Sequence, residues 1–257
     1  MLIHNPEDLR PGDAFLGPIG GLVGFGVGLG LDILVEAFKA GTLSIRHAGM
    51  IVEASHGAPG ERQGTYIEGP TAPMYQPPLL AQAMPGGAEI VPLSLDNHWT
   101  EKCAFVRLPE GYPGQALDAA FVAKLMVSEG VGYGWLSYPA LAAYKVGIRN
   151  ERLRNWINRR RPPISVELPS GREDLLGLPV DAICSVFVDQ AWSLTGKDLI
   201  DDTHPQAVTP GLLADTLSDL DGAVWCRPRP VRHVRDRALQ PVARTWRVQG
   251  KIDLEEV

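Results

Sequence analysis

The segment from Asp181 to Trp192 places the tightest constraint on the fold of this 257-residue chain, because it predicts where a buried helix begins. Apolar residues follow Cys184 at intervals of three, four, seven and ten positions, at Phe187, Val188, Ala191 and Leu194. Such spacing puts them on one face of a helix. Gly196 follows as a residue type that commonly ends helices. We therefore predict a helix that starts at Cys184 and buries one face in the core.

Cys184 is the candidate nucleophile. A thiol in the first turn of a helix lies near unpaired backbone N–H groups and the positive end of the helix dipole, and both stabilise the thiolate. We therefore expect the pKa of Cys184, but not that of Cys103 or Cys226, to lie below the ordinary value for cysteine. The alternative is a structural cysteine, which is common in apolar surroundings.

A cysteine nucleophile needs a base and a group that orients the base. His47 is the best placed of the six histidines, because it opens the short apolar run 47–54. A second strand-like run, 61–68, ends on Glu68. A symmetric hairpin of these two runs would put His47 and Glu68 directly opposite each other, with Cβ atoms about 5 Å apart. This geometry predicts that Glu68 orients His47.

Six short motifs occur in an order that resembles a known family. In chain order they are R-P-G-D from Arg10, R-H-A-G-M-I-V-E around His47, Y-I-E-G around Glu68, F-V-R-L from Phe105, V-G-Y-G-W around Tyr133 and I-C-S-V-F-V around Cys184. The order is similar to that of the circularly permuted NlpC-type papain-fold cysteine hydrolases, in which the histidine strand comes first and the cysteine helix last. Where that family usually has an aspartate after its tyrosine, this chain has Gly134.

The resemblance spans roughly residues 10 to 220 and implies an α+β, permuted papain-like fold with a small antiparallel sheet packed on helices. It implies that Cys184 is the nucleophile, His47 the general base and Glu68 the orienting acid. The implied reaction is cleavage of an amide bond through a cysteine thioester, with the peptide stems of peptidoglycan as substrate. Two alternatives stay open: lipid acyl transfer of the lecithin-retinol acyltransferase type, and a non-catalytic structural subunit of a virion or secretion assembly.

No metal or cofactor is predicted. His47 and His56 are nine residues apart, no H-E-x-x-H motif occurs, and no second cysteine lies near Cys184, whereas zinc sites need several such ligands at short spacings. The glycine-rich motifs that hold phosphates or dinucleotides are also missing from the sequence.

Two other residues are alternatives to Glu68. Should Glu68 not orient His47, Glu53 or His56 would take that role.

Charge and composition narrow the class of protein. A net charge of −6 and a pI near 5.5 argue against a dedicated nucleic-acid binder, which would be strongly basic. Three widely spaced cysteines do not predict a disulfide framework. The first residues lack a basic region followed by an apolar run, so no secretory signal is expected. We expect synthesis in the cytoplasm and, for a cell-wall substrate, delivery by a phage tail or another large assembly.

An uncharged stretch from Ala14 to Leu31 contains seven glycines. Small residues at four-residue spacing favour close helix packing in membranes, but each glycine weakens a helix by about 1 kcal/mol relative to alanine. We therefore interpret residues 14–38 as an apolar insertion that is covered by protein, with membrane contact as the less favoured alternative.

The remaining segments complete the predicted domain, 1–226. Strands are expected at 89–95 and 102–108 and a helix at 116–129, with a connector at 70–87. Six arginines between 149 and 161 predict a basic helix that is either solvated or meets an acidic partner. Residues 227–257 carry seven arginines and are interpreted as an arm that docks on other protein subunits.

Overall fold

The computed structural model describes residues 6–18, 45, 47–56, 76–94, 98–135, 151–152, 155, 159–200, 208–226 and 228, called here the described residues. Within them the protein is α+β, with a six-stranded antiparallel sheet and helices packed on one of its faces. The α+β class expected from the sequence is therefore confirmed.

The main sheet contains six strands, which are β1 (Ala14–Gly17), β2 (His47–Glu53), β3 (Leu79–Met84), β4 (Gly87–Pro92), β5 (Ala104–Arg107) and β10 (Val224–Cys226). Their order across the sheet is β10-β5-β1-β2-β3-β4, and every neighbouring pair is antiparallel. Strand β2 lies at the centre, with β1 on one side and β3 on the other.

The helices are α1 (Gln115–Ser128), α2 (Cys184–Ser193) and α3 (Pro210–Asp219). Helices α1 and α2 both pack against β2 and β3, and α3 packs on α2. Because successive side chains of a strand point to opposite faces, Ala48, Met50 and Val52 meet the helices in the larger apolar core. Ile51 instead joins a second apolar cluster on the other face.

Two small sheets complete the described architecture. Strands β7 (Ile164–Glu167) and β8 (Glu173–Leu176) form an antiparallel ribbon. Strand β6 (Gly132–Tyr133) pairs in parallel with β9 (Asp181–Ala182). Only Ile183 separates β9 from the first residue of α2, so the pairing of β6 with β9 holds the chain where α2 begins.

Several sequence predictions agree with these elements. Helix α2 begins at Cys184 and is followed by Gly196, whose φ of 89° lies in the left-handed region that favours glycine. Thr209 caps α3 by accepting a hydrogen bond from the Leu212 N–H, with Pro210 at the first helical position. The predicted strand at 47–54 and helix at 116–129 are observed within one residue of their expected bounds.

Other predictions are wrong. Residues 70–87 are not a connector throughout, since β3 and its turn to β4 lie within them. The apolar insertion does not begin at residue 14, because residues 14–17 form β1 in the middle of the sheet. The basic helix does not reach residue 161, because Arg160 forms a β-bridge with Pro179. In each case backbone pairing with another part of the chain overrides the local pattern.

Some predictions lie outside the described residues. These are the run 61–68, the remainder of the insertion from residue 19 to residue 38, and the arm apart from residue 228. Among the helices that the structure describes, none has the length and apolar character needed to cross a membrane. The docking role of the arm stays a prediction.

A buried carboxylate joins α1 to the ribbon formed by β7 and β8. Asp118, in the first turn of α1, accepts hydrogen bonds from the Tyr112 hydroxyl at 2.8 Å, the Ser170 N–H at 2.9 Å and the Ser170 hydroxyl at 2.6 Å. Burial and the Asp118 hydrogen bond raise the pKa of Tyr112 to about 12, so its hydroxyl remains a donor at neutral pH. Asp118 therefore accepts hydrogen bonds from half-buried Tyr112 and from both donors of exposed Ser170.

We expect Asp118→Ala to lower the free energy of unfolding by roughly 1–3 kcal/mol, because it removes the charged acceptor of three hydrogen bonds and leaves the Tyr112 hydroxyl only the Thr195 carbonyl at 3.2 Å. Urea denaturation monitored by circular dichroism measures the change. Glu110→Ala is the matched control, since exposed Glu110 accepts a single hydrogen bond from the Gly114 N–H. Equal small losses in the two variants would contradict a structural role for the Asp118 network.

Candidate active site

Cys184 occupies the first position of α2, where Ile183 is extended with φ −84° and ψ 165°. The backbone N–H groups of Ala48, Ser185 and Cys184 itself stabilise the thiolate. The side chain is only 1% exposed, however. Burial outweighs the three backbone groups and raises the pKa of Cys184 to about 11. The expected low pKa is therefore wrong, and the resting thiol is protonated at neutral pH.

The Cys184 thiol lies at the point where the pairing between β2 and β3 ends. Gly49 and Gln82 are the last paired residues at this end. The next amide of β2, that of Ala48, contacts the Cys184 sulfur instead of β3. The amide that contacts the thiol thus belongs to the residue next to His47 in the chain. Helix α2 brings the sulfur in from the helical face, whereas His47 alternates onto the opposite face with Phe15.

His47 is 4% exposed and bonded through one ring nitrogen. Its Nε2 lies 2.7 Å from Oε1 of Gln82, and the Phe15 ring meets it edge-on with centroids 6.1 Å apart. Burial lowers the pKa of His47 to about 4, assisted by nearby His98 and opposed by the Gln82 hydrogen bond. His47 is therefore a neutral imidazole at neutral pH.

The hydrogen bonds of Gln82 determine the tautomer of His47. The Gln82 amide nitrogen donates to Oε1 of Glu89 at 3.0 Å. Since an ionised carboxylate can only accept, the amide oxygen must face His47, and Nε2 of His47 must carry the proton. Nδ1 then holds the lone pair, and it is buried with no hydrogen-bond partner among the described residues. A buried imidazole with an available basic nitrogen is what a general base requires.

Glu68 lies outside the described residues, but the hairpin that was expected to bring it to His47 is wrong. The strands that flank β2 are β1 and β3, and β3 takes the position assigned to 61–68. The side chain that hydrogen-bonds His47 is thus Gln82. Glu53 does not substitute for Glu68, because it lies at the far end of β2 and forms ion pairs with His56 at 3.4 Å and with Lys124 at 3.6 Å.

Gln82 and Glu89 are the site residues that the sequence analysis missed. Gln82 is a polar residue in the otherwise apolar run L-L-A-Q-A-M, and it is 6% exposed. A buried glutamine in an apolar strand needs polar partners, and that need was the available signal. The prolines and glycines around this segment instead predict a connector.

The sulfur of Cys184 and Nδ1 of His47 are not joined by a hydrogen bond, since Nδ1 has no partner among the described residues. Their approach is through Ala48, whose amide contacts the sulfur. Catalytic hydrogen bonds are often long before substrate binds. The arrangement therefore supplies a protonated thiol with backbone donors on the helical face of the sheet, and a neutral base on the other face, on the residue next to Ala48.

An aromatic pair lies beside the segment that leads to Cys184. Tyr133 of β6 pairs with Ala182 of β9, and the Gly134 N–H donates to the Ala182 carbonyl at 3.1 Å. Trp135 follows, half-exposed, with its ring 4.9 Å from that of Tyr133. An exposed indole beside the nucleophile helix offers an apolar surface to a ligand.

The other cysteines lack these features. Cys103 and Cys226 are buried in the apolar cluster on the opposite face of the sheet, and burial raises the pKa of both thiols. None of the three cysteines forms a disulfide. Over the described ranges there is no group of three or more His, Cys, Asp or Glu side chains that could hold a metal ion.

Comparisons of the chain with protein-family models, curated proteins and solved structures give no match. The function is therefore inferred from this chain's own residues. The most informative of them are Cys184, His47, Gln82 and Glu89, which come from four separate elements.

Proposed function

We propose that the protein is a cysteine hydrolase that cleaves an amide bond through a thioester on Cys184. The observation that carries the proposal is the buried, unbonded Nδ1 of neutral His47, one residue from the amide that contacts the Cys184 sulfur. A structural histidine of the core would ordinarily have both ring nitrogens satisfied. The order of a histidine strand followed by a cysteine helix supports a permuted papain-like fold.

The proposed reaction starts from a neutral pair. Nδ1 of His47 has to reach the thiol around the end of β2 when substrate binds, and it then accepts the Cys184 proton as the sulfur attacks the carbonyl carbon of the scissile amide. The backbone N–H groups of Ala48 and Cys184 border the sulfur, and they stabilise the negative charge that develops on the carbonyl oxygen. His47 then returns the proton to the departing amine. A thioester remains on Cys184.

The second half of the cycle regenerates the thiol. Water attacks the thioester carbonyl while Nδ1 of His47 accepts a proton from it, and the sulfur leaves as Cys184 recovers that proton. In both halves the Gln82 amide oxygen accepts a hydrogen bond from Nε2–H of His47 and so holds the ring. Gln82 therefore takes the orienting role that the sequence analysis assigned to Glu68.

The proposed substrate is a peptide stem of peptidoglycan, and delivery by a phage tail or similar assembly is proposed with it. The motif order supports the substrate, and the thiol and neutral imidazole support the acyl chemistry. A muropeptide panel tests the substrate. Release of a new amine supports amide cleavage, whereas acyl transfer from phosphatidylcholine vesicles without amine release would favour the lipid alternative.

We expect the protein to form a covalent acyl adduct when mixed with a p-nitrophenyl acyl ester, because an activated ester needs only the nucleophile and its base. Intact-mass spectrometry after acid quenching detects the adduct, and peptide mapping should locate it on Cys184. Cys184→Ser should remove it. Cys103→Ser is the matched control, since Cys103 is a buried cysteine on the other face of the sheet, and it should keep the adduct.

The non-catalytic alternative is favoured by one observation, the complete burial of a thiol with a pKa of about 11. A structural cysteine of this kind is inert. The alternative predicts no adduct on Cys184. It also predicts that the three cysteines are modified slowly and at equal rates, and only after the protein unfolds. The adduct experiment therefore separates the enzyme from the structural subunit.

A further inference from the structure

We propose that Glu89 is a positioning residue that sets the tautomer of His47 through Gln82, an inference that rests on the proposed function of the site. The three side chains belong to neighbouring strands and form one hydrogen-bonded chain. His47 and Gln82 are buried, whereas Glu89 is exposed. The chain therefore runs from solvent to the buried ring.

The register of the sheet explains why these residues meet. Gln82 of β3 is directly opposite Glu89 of β4, so their side chains share a face. On its other side Gln82 is opposite Gly49 of β2, two residues from His47. Because successive side chains alternate, Gln82, Gly49 and His47 share one face, and Gln82 leans along β2 to reach Nε2 of His47 at 2.7 Å.

The Glu89 carboxylate determines which end of the Gln82 amide faces His47. A glutamine amide presents an acceptor at one end and donors at the other, and a half-turn of its last torsion exchanges them. A carboxylate opposite its nitrogen end permits only one of these orientations. The oxygen end then faces His47 and keeps the proton on Nε2. Without Glu89 the amide can turn, donate to Nε2 and move the ring proton to Nδ1, which could no longer accept the thiol proton.

The direct test is the tautomer of His47 in the folded, full-length protein. Two-bond 15N–1H correlation spectra at neutral pH distinguish a proton on Nε2 from a proton on Nδ1. We expect the native protein to show the Nε2–H form, and Glu89→Ala to show a mixture of the two forms. Glu89→Gln should largely retain the native form, because a glutamine oxygen can still accept from Gln82. Glu173→Ala is the control, since exposed Glu173 lies in the separate ribbon of β7 and β8.

Turnover of the p-nitrophenyl ester supplies a second readout. Glu89→Ala is expected to lower kcat by roughly 10-fold to 100-fold with KM little changed, a part of the 10²-fold to 10⁴-fold that a general base contributes. Gln82→Glu should also lower kcat, because this change places two carboxylates side by side. Adding Glu89→Gln to Gln82→Glu restores an amide–carboxylate pair with the roles exchanged, and we expect turnover to recover at least several-fold.

The outcomes separate the two proposals. An unchanged Nε2–H form in Glu89→Ala, or no recovery in the exchanged pair, would overturn the positioning role even if Cys184 forms its acyl adduct. A tautomer change in Glu89→Ala supports the positioning role, and it does so whether or not an adduct forms. Since Glu89 is exposed, its variants should fold, and the thermal transition of each variant checks this.

Discussion

Replacing Cys184 with alanine should lower kcat/KM by about 10⁴-fold or more, because loss of the attacking atom removes the covalent step itself. His47→Ala should lower it by roughly 10²-fold to 10⁴-fold, since the resting thiol is protonated and requires a base before it can attack. Steady-state kinetics on a p-nitrophenyl acyl ester and on a cleavable muropeptide measure both changes.

The double variant tests whether the two residues act as a unit. Once the nucleophile is absent a base has nothing to activate, so Cys184→Ala with His47→Ala should be no slower than Cys184→Ala alone. Cys226→Ser should retain nearly full activity, because Cys226 lies in the other apolar cluster. If Cys184→Ala keeps activity that Cys226→Ser loses, the nucleophile has been wrongly assigned.

The second large effect concerns pH. Because the folded pKa of His47 is about 4 rather than the ordinary 6.5, its basic nitrogen stays available well below neutral pH. We expect the acid limb of kcat/KM to fall near pH 4. The pKa of Cys184 is about 11, so no ionisation of this thiol should raise the rate between pH 7 and 9. A thiolate–imidazolium resting pair would also lose activity near about pH 4, where its thiolate is protonated, but it would add an alkaline limb where the imidazolium loses its proton.

Burial of His47 also makes the free energy of unfolding depend on pH. Between pH 6.5 and about 4 the unfolded state binds a proton at His47 that the folded state does not. The stability that the folded state gains by keeping His47 neutral is therefore fully present above pH 6.5, and it is lost as the pH falls through 4. The difference between 6.5 and about 4 corresponds to about 3 kcal/mol. His98, whose pKa is also lowered by burial, acts in the same direction.

Urea unfolding at several pH values between 4 and 7 measures this dependence. His47→Gln should flatten it by about 3 kcal/mol over the range. His56→Gln is the control, because His56 is exposed and its substitution removes only an exposed ion pair with Glu53. Equal slopes in the native protein and His47→Gln would show that His47 is not buried as a neutral ring.

Local patterns in the sequence were sufficient for the elements that carry the two principal residues. The period of apolar residues after Cys184 predicted α2, because a helix that packs on a sheet must bury one face. Gly196 and Thr209 marked helix ends through local backbone geometry and capping. The apolar run after His47 predicted β2. Each of these signals acts over fewer than about ten residues.

The partner of His47 could not be obtained in this way. His47 and Gln82 are 35 residues apart, and their contact depends on the register of β2 against β3. A strand is stabilised by neighbours on both edges, and β3 has β2 and β4 as its neighbours. The run L-L-A-Q-A-M has no β-branched residue and follows two prolines, so its local pattern did not indicate a strand.

The protonation of the site was also decided by tertiary structure. From the sequence, the helix N-terminus at Cys184 predicted a low pKa, and the backbone N–H groups do act in that direction. The sheet and helices, however, exclude water from the thiol and from His47, and loss of solvation disfavours the charged form of each. The sequence by itself determined which groups lie at the helix end and the strand start. Only the packing decided that both are neutral, because solvation depends on every residue that surrounds them.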